Sequence, residues 1–220
     1  MKLTLYYHPL SSFCHKVLIA LYENHIEFEG RIINLGEPKD RAELQAVWPF
    51  CKFPVIHDNQ RQRNVAESSI IIEYLDQYFA PALRMIPSNV SDALEVRLWD
   101  RIFDNYLQGP LREIVNDKMR GINGDLTGAR ATLETAYGMI DRQLASKDWC
   151  VGENFGMADC AAAPVLFYTS TLQGFPNHHV HLAAYFERLM NRPSVRRVLE
   201  EAKPYFSLYP FSSAIPARFR

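Results

Sequence analysis

The spacing of apolar residues changes once along this chain of 220 residues, near residue 80. Before that point, segments with the two-residue period of strands alternate with segments of helical period, whereas every periodic segment beyond it is helical. An alternation of strands and helices predicts an α/β domain, and a succession of helices predicts an all-α domain. We therefore expect an α/β domain at 1–80, a proline-bearing linker at 81–92, an all-helical domain at 93–204 and a C-terminal tail at 205–220.

The first domain is predicted to follow the order βαβαββα. Leu3, Leu5 and Tyr7 alternate as in a half-buried strand, and Cys14 begins an apolar stripe of helical period. The later segments are predicted as strands at 28–34, 54–57 and 63–65, and as helices at 41–47 and 71–78. This order resembles the thioredoxin fold.

The composition excludes some classes of partner. Apolar residues make up 48% of the chain, charged residues make up 22%, and the net charge is −1, so no nucleic-acid or membrane partner is expected. No apolar run reaches the roughly 18 residues that a membrane-spanning helix needs. The first ten residues lack the apolar segment of a signal peptide, so we expect a cytoplasmic protein.

The cysteines and histidines show no spacing typical of a metal site. Four scattered cysteines predict reduced, mostly buried thiols rather than a disulfide framework or a structural zinc site. His178, His179 and His181 fall in a loop with Gly, Pro and Asn, where we expect solvent-exposed side chains. The sequence therefore predicts no metal site.

The segment Ser11-Ser12-Phe13-Cys14 lies between the first strand and the first helix. In thioredoxin-like proteins this position holds Cys-x-x-Cys, whose first cysteine is activated by the helix N-terminus. Ser11 replaces that cysteine, so the segment cannot form a disulfide within itself. A hydroxyl at this point can donate a hydrogen bond to an incoming thiolate, and it can equally cap the helix. The motif alone leaves both roles open.

Pro54 follows an irregular segment and enters a predicted strand, which makes Phe53-Pro54 a candidate cis peptide bond. A cis bond here would expose the backbone of Val55 beside the Ser11 loop, where an extended peptide could pair with it. An edge-strand proline with a trans bond is the alternative. Lys52 offers a cation to a nearby carboxylate.

Glu67-Ser68-Ser69 directly precedes a predicted helix. These residues are typical of a helix cap, but a helix N-terminus with free N–H groups and a hydroxyl also binds a carboxylate. A carboxylate site, a pairing strand and a hydroxyl that faces a thiol suit a short peptide with two acidic ends and a central thiol. Glutathione is such a peptide.

These segments resemble the cytosolic glutathione S-transferases, and the resemblance covers nearly the whole chain. It is carried by YYHPLSSFCHKVLIAL, KFPVI and AESSIIIEYL, followed by the helical domain. The first segment is similar to the serine-type classes (delta, theta and zeta), in which a serine activates glutathione. The resemblance implies a bound glutathione held by Ser12, Phe13, Lys52, Phe53, Pro54, Val55, Glu67 and Ser68.

The resemblance also assigns parts of glutathione to single residues. It implies that Val55 pairs with the cysteinyl backbone and that Lys52 lies near the glycyl carboxylate. Glu67 and Ser68 would hold the γ-glutamyl end.

The same resemblance implies that Ser11 is the catalytic hydroxyl. Tyr7 is an alternative, because tyrosine-type classes place their catalytic tyrosine late in this strand, two residues before a proline. Its alternation with the leucines of the strand predicts instead a buried Tyr7, with Tyr6 on the opposite face. Cys14 is a third alternative, as a thiol that forms a mixed disulfide, although its place in the apolar stripe favours burial.

The electrophile pocket is predicted to be lined by Leu10, by Phe103, Tyr106 and Leu107 on one helix, and by the aromatic tail. Tyr106 is the strongest of these candidates, since it has a polar tip and precedes Gly109-Pro110, which should bend or break the helix. Aromatic residues at helical spacing are also typical of a core, which is the alternative. The resemblance further implies a homodimer built from both domains.

The activity that the resemblance implies is transfer of the glutathione thiol to a small hydrophobic electrophile, as in detoxification. One alternative is a glutathione-dependent isomerase or dehalogenase, although zeta members carry Ser-Ser-Cys where this chain has Ser-Ser-Phe. Another is a binding or regulatory protein of the same fold that has lost thiol activation. The presence of Ser11, Pro54, Glu67 and Ser68 together favours an enzyme.

One departure from the family concerns stability. The helical domain of the family usually carries a Ser/Thr-x-x-Asp capping box, whereas this chain has Gly156 at the first position and Asp159 at the fourth. Only the Asp159 half of the box is therefore expected to form.

Overall fold

The structure, a computed structural model, describes residues 2–79 and 81–220. The chain divides into two units, Met1–Met85 and Ile86–Arg220, and the division falls inside the segment predicted as a linker. Ala80, the predicted last residue of the first domain, lies outside the described residues, as does Met1.

The first unit contains the seven elements that the sequence predicts, in the predicted order. They are β1 (Leu3–Tyr7), α1 (Ser12–Glu23), β2 (Glu29–Ile32), α2 (Pro38–Val47), β3 (Val55–Asp58), β4 (Arg63–Ala66) and α3 (Ser68–Tyr78). The strands form one sheet in the order β2-β1-β3-β4. Strand β1 is parallel to β2, with α1 as the crossover between them, and antiparallel to β3, which is antiparallel to β4. The predicted thioredoxin-like α/β fold is confirmed.

Helix α1 is buried on nearly its whole circumference. All of residues 12–21 are buried except Phe13, and this includes His15 and Lys16, which the apolar stripe leaves on the polar face. Helix α2 is different, because it buries Leu44 alone, in a cluster with Ile33 and Val55. Helix α1 therefore lies inside the core of this unit, whereas α2 contributes only one buried residue to it.

The second unit is helical throughout its described length, as predicted. Its helices are α4 (Val90–Ile102), a π-helix (Phe103–Leu107), α5 (Gln108–Arg120), α6 (Thr127–Gln143), α7 (Met157–Ser170), α8 (Val180–Asn191) and α9 (Pro193–Ala202). Helix α4 begins inside the predicted linker. Within residues 2–79 and 81–220, no helix has both the length and the apolar character needed to cross a membrane.

The π-helix stands where the sequence predicts a bend or break. Pro110 lies in the first turn of α5, and it has no N–H to donate to the carbonyl of Tyr106, four residues earlier. The wider π turn lets the helical path continue through this point. Around this turn Ile102 is buried, whereas Leu98 and Tyr106 are both exposed.

The C-terminal tail packs against helices of its own unit. It forms three 3₁₀ turns, in which the rings of Phe206 and Phe219 both contact Phe167 of α7. Arg218 forms two hydrogen bonds with the carboxylate of Glu187, of 2.7 and 2.6 Å. The predicted aromatic tail is therefore part of the helical unit.

Asp159 holds the start of α7 from inside the core. Its carboxylate accepts hydrogen bonds from the N–H of Gly156 at 2.8 Å, the N–H of Cys150 at 2.9 Å and the hydroxyl of Tyr185 at 2.5 Å. The expected half of the capping box is thus present. Complete burial raises the pKa of Asp159 to about 6, against the opposing effect of the hydrogen bonds from Tyr185 and the two N–H groups.

This raised pKa predicts a pH-dependent contribution to stability. The folded chain keeps a proton on Asp159 that the unfolded chain releases near pH 4, so the contribution is complete below that pH and is lost as the pH rises through about 6. In chemical denaturation, we expect the free energy of unfolding of the natural chain, relative to Asp159→Asn, to fall by about 2 kcal/mol between pH 4 and pH 7. The exposed Asp92→Asn serves as control, and a pH-independent difference for Asp159→Asn would contradict the prediction.

Candidate functional site

Three predicted motifs meet at one end of the sheet. Tyr6 of β1, Val55 of β3 and Ala66 of β4 lie side by side in the strand register. Because β3 is antiparallel to both neighbours, the end of β1, the start of β3 and the end of β4 share this end of the sheet. The serine segment follows β1, the proline loop precedes β3 and the acidic segment follows β4. Strands lie about 4.8 Å apart, so the three motifs span about 10 Å, the length of a tripeptide.

Ser11 is the N-cap of α1. Its side-chain oxygen accepts a hydrogen bond from the N–H of Cys14 at 3.3 Å, and its own N–H donates to the carbonyl of His8 at 3.0 Å. The capping role considered for Ser11 is therefore present. It leaves the hydroxyl proton available, because a hydroxyl accepts and donates at the same time. Ser12, which is buried, and the half-buried Phe13 form the first turn of the helix, where backbone N–H groups carry partial positive charge.

The four cysteines are free, and three of them are buried, as predicted. Cys14 is fully buried, and this burial raises the pKa of its thiol to about 12, although hydrogen bonds involving Ser11 and His8 act in the opposite direction. A thiol with such a pKa is almost wholly protonated at neutral pH. The mixed-disulfide role for Cys14 is therefore disfavoured.

The Phe53-Pro54 peptide bond is cis, as the sequence suggested. The ring of Phe53 stacks on that of His8, with centroids 6.0 Å apart and planes 21° apart, so the proline loop contacts the loop before α1. Lys52, the residue before Phe53, is exposed. The two loops thus form one continuous surface at the end of the sheet.

Val55 cannot accept an added strand. It lies opposite Tyr6 on one side and Ala66 on the other, so its backbone is enclosed within the sheet. The predicted pairing of a peptide with Val55 is therefore wrong. Phe53 precedes the first residue of β3 and lies outside this ladder. Its backbone is the nearest that an extended peptide can approach.

Glu67 has a strained backbone at the start of α3. Its φ of 67° and ψ of 115° form a combination that residues with a side chain rarely adopt, and such strain is concentrated at functional sites. Among the contacts of the described residues, its exposed side chain makes no capping hydrogen bond to α3, contrary to the capping alternative. Ser68 beside it is buried. The carboxylate of Glu67 and the N–H groups in the first turn of α3 can thus both face a ligand.

Two buried side chains of α1 fix the loops around the site. No sequence motif indicated them. His15 Nε2 donates to the carbonyl of Pro9 at 2.5 Å, and Lys16 Nζ donates to the hydroxyl of Ser69 at 3.0 Å. The first contact holds the loop before Ser11, and the second joins α1 to the first turn of α3. Their only sequence signal is a pair of polar residues inside a strongly apolar helix.

The two tyrosines of β1 point to opposite sides. Tyr6 packs on the apolar cluster beneath α2, and burial together with the nearby carboxylate of Glu43 raises its pKa. Tyr7 is half-buried rather than buried, and its ring lies against Gly30 of β2: a Cβ on this glycine would be 3.4 Å from the Tyr7 hydroxyl oxygen. Strand β2 adjoins β1 on the side away from β3, so the Tyr7 hydroxyl lies away from the proline loop.

The residues predicted to line the electrophile pocket differ in exposure. Phe103 and Leu107 have no exposed surface, because the π-helix that carries them packs against α6 and α7, so their assignment to an open pocket is wrong. Tyr106 on the same turn is 56% exposed. Leu10 is half-buried, and its N–H donates to His8 Nδ1 at 3.2 Å.

Comparison with known families gives two matches that cover most of the chain. Residues 5–82 match the family model described as "Glutathione S-transferase, N-terminal domain", and residues 126–193 match "Glutathione S-transferase, C-terminal domain". The two models describe successive parts of one kind of protein, and they match here in the same order.

Similar proteins align over nearly their whole length. The FtsZ-localized protein A of Caulobacter vibrioides is 27% identical over 212 residues, which are 91% of this chain and 92% of that protein. A probable glutathione S-transferase of Glycine max is 26% identical over 209 residues, 90% and 88% of the two chains. The solved structure of a glutathione S-transferase from Methylobacillus flagellatus, with glutathione bound, has a TM-score of 0.75 at 24% identity, and covers 89% of this chain and 98% of that one.

The buried His15 predicts a loss of stability in mild acid. Burial lowers the pKa of His15 to about 4, so the unfolded chain binds a proton first as the pH falls below about 6.5. The contribution is complete above that pH and declines towards pH 4. In chemical denaturation, we expect the natural chain to lose about 2 kcal/mol of unfolding free energy relative to His15→Gln between pH 7 and pH 5. The exposed His25→Asn is the control, and an equal loss in His15→Gln would contradict the prediction.

Proposed function

Because the chain belongs to the glutathione S-transferase superfamily, we propose that it binds glutathione at the end of the sheet and transfers the glutathione thiol to a small hydrophobic electrophile. The observation that carries this proposal is the strand register that brings the serine segment, the cis-proline loop and the acidic segment together. Their span of about 10 Å suits a tripeptide with two acidic ends.

Each part of glutathione has a complementary group in the proposal. Glu67 binds the α-ammonium group of the γ-glutamyl end, while Ser68 and the first N–H groups of α3 bind its carboxylate. The cysteinyl backbone pairs with Phe53, which replaces Val55 in this role because Val55 is enclosed in the sheet. The exposed Lys52 binds the glycyl carboxylate.

Ser11 then activates the thiol. A thiol with an ordinary pKa of about 8.5 is only a few per cent ionised at pH 7. Ser11 donates a hydrogen bond from its hydroxyl to the thiolate while its oxygen continues to cap α1, and the positive end of that helix acts in the same direction. A pKa lowered by about two units corresponds to roughly 2.7 kcal/mol and leaves most of the bound glutathione as the nucleophile. No general base is required.

Tyr7 is the alternative activator, but its geometry favours it less. Its ring lies against Gly30 of β2, whereas the proposed cysteinyl position lies beside the proline loop before β3. The serine-type assignment therefore rests on Ser11, which occupies the N-terminus of α1.

The electrophile has to reach the thiolate beside Ser11. Of the predicted pocket residues, Leu10 borders the loop that carries Ser11, and Tyr106 is exposed with a polar tip. We propose that Leu10 contacts the electrophile, and that the reaction is addition or substitution by the thiolate. A glutathione-dependent isomerase or dehalogenase would use the same activated thiolate. The free cysteines fit a cytoplasmic location, where thiols are kept reduced.

A second candidate function is non-enzymatic binding to a protein partner by a chain that keeps the fold but has lost thiol activation. It is favoured by the similarity to a protein of Caulobacter vibrioides that is named for its localization with FtsZ. The two functions differ in a simple assay, because binding to immobilised glutathione without turnover of any electrophile would support the non-enzymatic alternative.

The helical unit carries a surface suited to the proposed homodimer. Val90, Leu94 and Leu98 are spaced by four residues along α4, and they are 82, 67 and 56% exposed. A continuous apolar stripe on an exposed helix is typical of a surface that pairs with another protein. We propose that a second copy of the chain covers it.

The function is tested by comparing Ser11→Ala with Tyr7→Phe over aryl halides, epoxides, disulfides and maleyl compounds. We expect Ser11→Ala to lose about 2–4 kcal/mol of transition-state stabilisation in kcat/KM, because a donor to the thiolate is removed. Its affinity for glutathione should change little, and the pKa of the bound thiol, read from thiolate absorbance, should rise. Unchanged turnover in Ser11→Ala with loss in Tyr7→Phe would assign activation to Tyr7.

The homodimer is tested by the charge substitution Leu94→Glu. We expect the natural chain to sediment as a dimer and Leu94→Glu as a monomer, because a buried carboxylate without a partner opposes association. Leu208→Glu, at a residue of similar exposure (66%) on the tail, should remain dimeric. If the natural chain sediments as a monomer, the proposal that the apolar stripe of α4 forms a dimer contact is contradicted.

A further inference from the structure

Two histidines and a glutamate come together in the helical unit. Glu134 lies on α6, and His178 and His179 lie in the segment between α7 and α8. One side-chain ligand atom of each lies within 4.8 Å of those of the other two. The expectation that these histidines are exposed is wrong for His179, which is only 9% exposed.

The ring of His179 lies between two carboxylates. Its Nε2 is 4.0 Å from Oε1 of Glu134, and its Nδ1 is 3.9 Å from Oδ2 of Asp141. Both carboxylates belong to α6, and the ring lies over Gly138 between them, with Cε1 3.6 Å from where a Cβ would stand. Each ring nitrogen therefore has a carboxylate on its own side.

Both carboxylates also accept hydrogen bonds from other groups. Asp141 Oδ1 accepts hydrogen bonds from the N–H groups of His181 at 2.8 Å and Leu182 at 2.9 Å, so it caps the start of α8. Oε2 of Glu134 accepts a hydrogen bond from the side-chain amide of Gln173 at 3.1 Å, which leaves Oε1 towards His179. Such partners orient the ligands of metal sites.

We propose that Glu134, His178 and His179 bind a divalent transition-metal ion such as zinc. Two imidazole nitrogens and one carboxylate oxygen are a donor set that zinc takes, with water as the fourth ligand. Imidazole ligands disfavour magnesium and calcium, which prefer oxygen. Asp141 is a positioning residue, because its Oδ2 lies 3.9 Å from Nδ1 of His179, while Nε2 of the same ring faces Glu134.

The distances require a small contraction on binding. Ligand atoms that bind a tetrahedral zinc ion at about 2.1 Å lie about 3.4 Å from one another. In the structure the three ligand atoms lie within 4.8 Å of one another, so they have to move closer together to bind the ion. His178 and Glu134 are exposed, so rotation of their side chains can supply this movement while His179 stays in place.

Metal binding would join α6 to the segment before α8. It would stabilise the helical unit, because the ion binds the folded chain in preference to the unfolded one. All residues of the cluster lie in Ile86–Arg220, whereas the proposed glutathione-binding residues lie in Met1–Met85. The proposal is therefore independent of the transferase function.

The test is calorimetric titration of zinc chloride into the full-length protein after treatment with chelator. We expect one ion per chain with a dissociation constant in the micromolar range or tighter, and a rise in Tm with zinc but not with magnesium. His178→Ala and Glu134→Gln should each weaken binding at least tenfold, since loss of an orienting partner alone costs about 10–100-fold. Asp141→Asn should weaken it about tenfold.

His181→Ala is the control, because it removes a nearby histidine, in the first turn of α8, whose side chain lines a separate cavity with Leu144 and Lys147. It should bind zinc as the natural chain does. Thermal unfolding without metal checks that the exposed substitutions at 178 and 134 retain the fold. The proposal is overturned if the natural chain binds no zinc, or if the double variant His178→Ala/Glu134→Gln binds it equally well.

Discussion

Strand β3 pairs antiparallel with a neighbour on each side, and the candidate glutathione site depends on this pairing. Three segments far apart in the sequence adjoin the same end of the sheet because β3 begins where β1 and β4 end. A parallel β3 of four residues would carry the proline loop about 13 Å away, to the opposite end. The same pairing encloses Val55 and leaves Phe53 as the nearest backbone for a peptide. The sheet thus determines which residues of the proline loop can take part in binding.

Buried polar groups complete what the sheet begins. Burial of His15, Lys16 and Asp159 is costly unless each finds hydrogen-bond partners, and each of them bonds to a loop or to the first turn of a helix. These contacts fix irregular segments that have no regular hydrogen bonds of their own. A side chain that satisfies such a segment from inside the core gives the protein a defined loop conformation as well as stability.

The sequence predicted what depends on local chemistry. Strand and helix periodicity gave the order of the elements, and the Phe53-Pro54 and Gly156/Asp159 segments behaved as their residue types indicate. Tertiary contacts decided the rest. Helical spacing could not distinguish Phe103, which lies in the core, from the exposed Tyr106, and the composition of the histidine loop could not show that His179 is covered by α6. Neither strand alternation nor the proline motif could show that Val55 is paired on both sides.

The π-helix between α4 and α5 has a consequence for comparing this chain with its relatives. One extra residue in a regular α-helix would rotate everything that follows by about 100° around the helix axis, whereas a π turn absorbs the extra residue within one wider turn. A relative that lacks this widened turn would align here with a single-residue gap, and counting residues without that gap would assign a different side chain to each position around the axis of α5. Superposing backbones across Phe103–Leu107, rather than counting residues, is therefore what establishes which positions of α5 are equivalent between two such proteins.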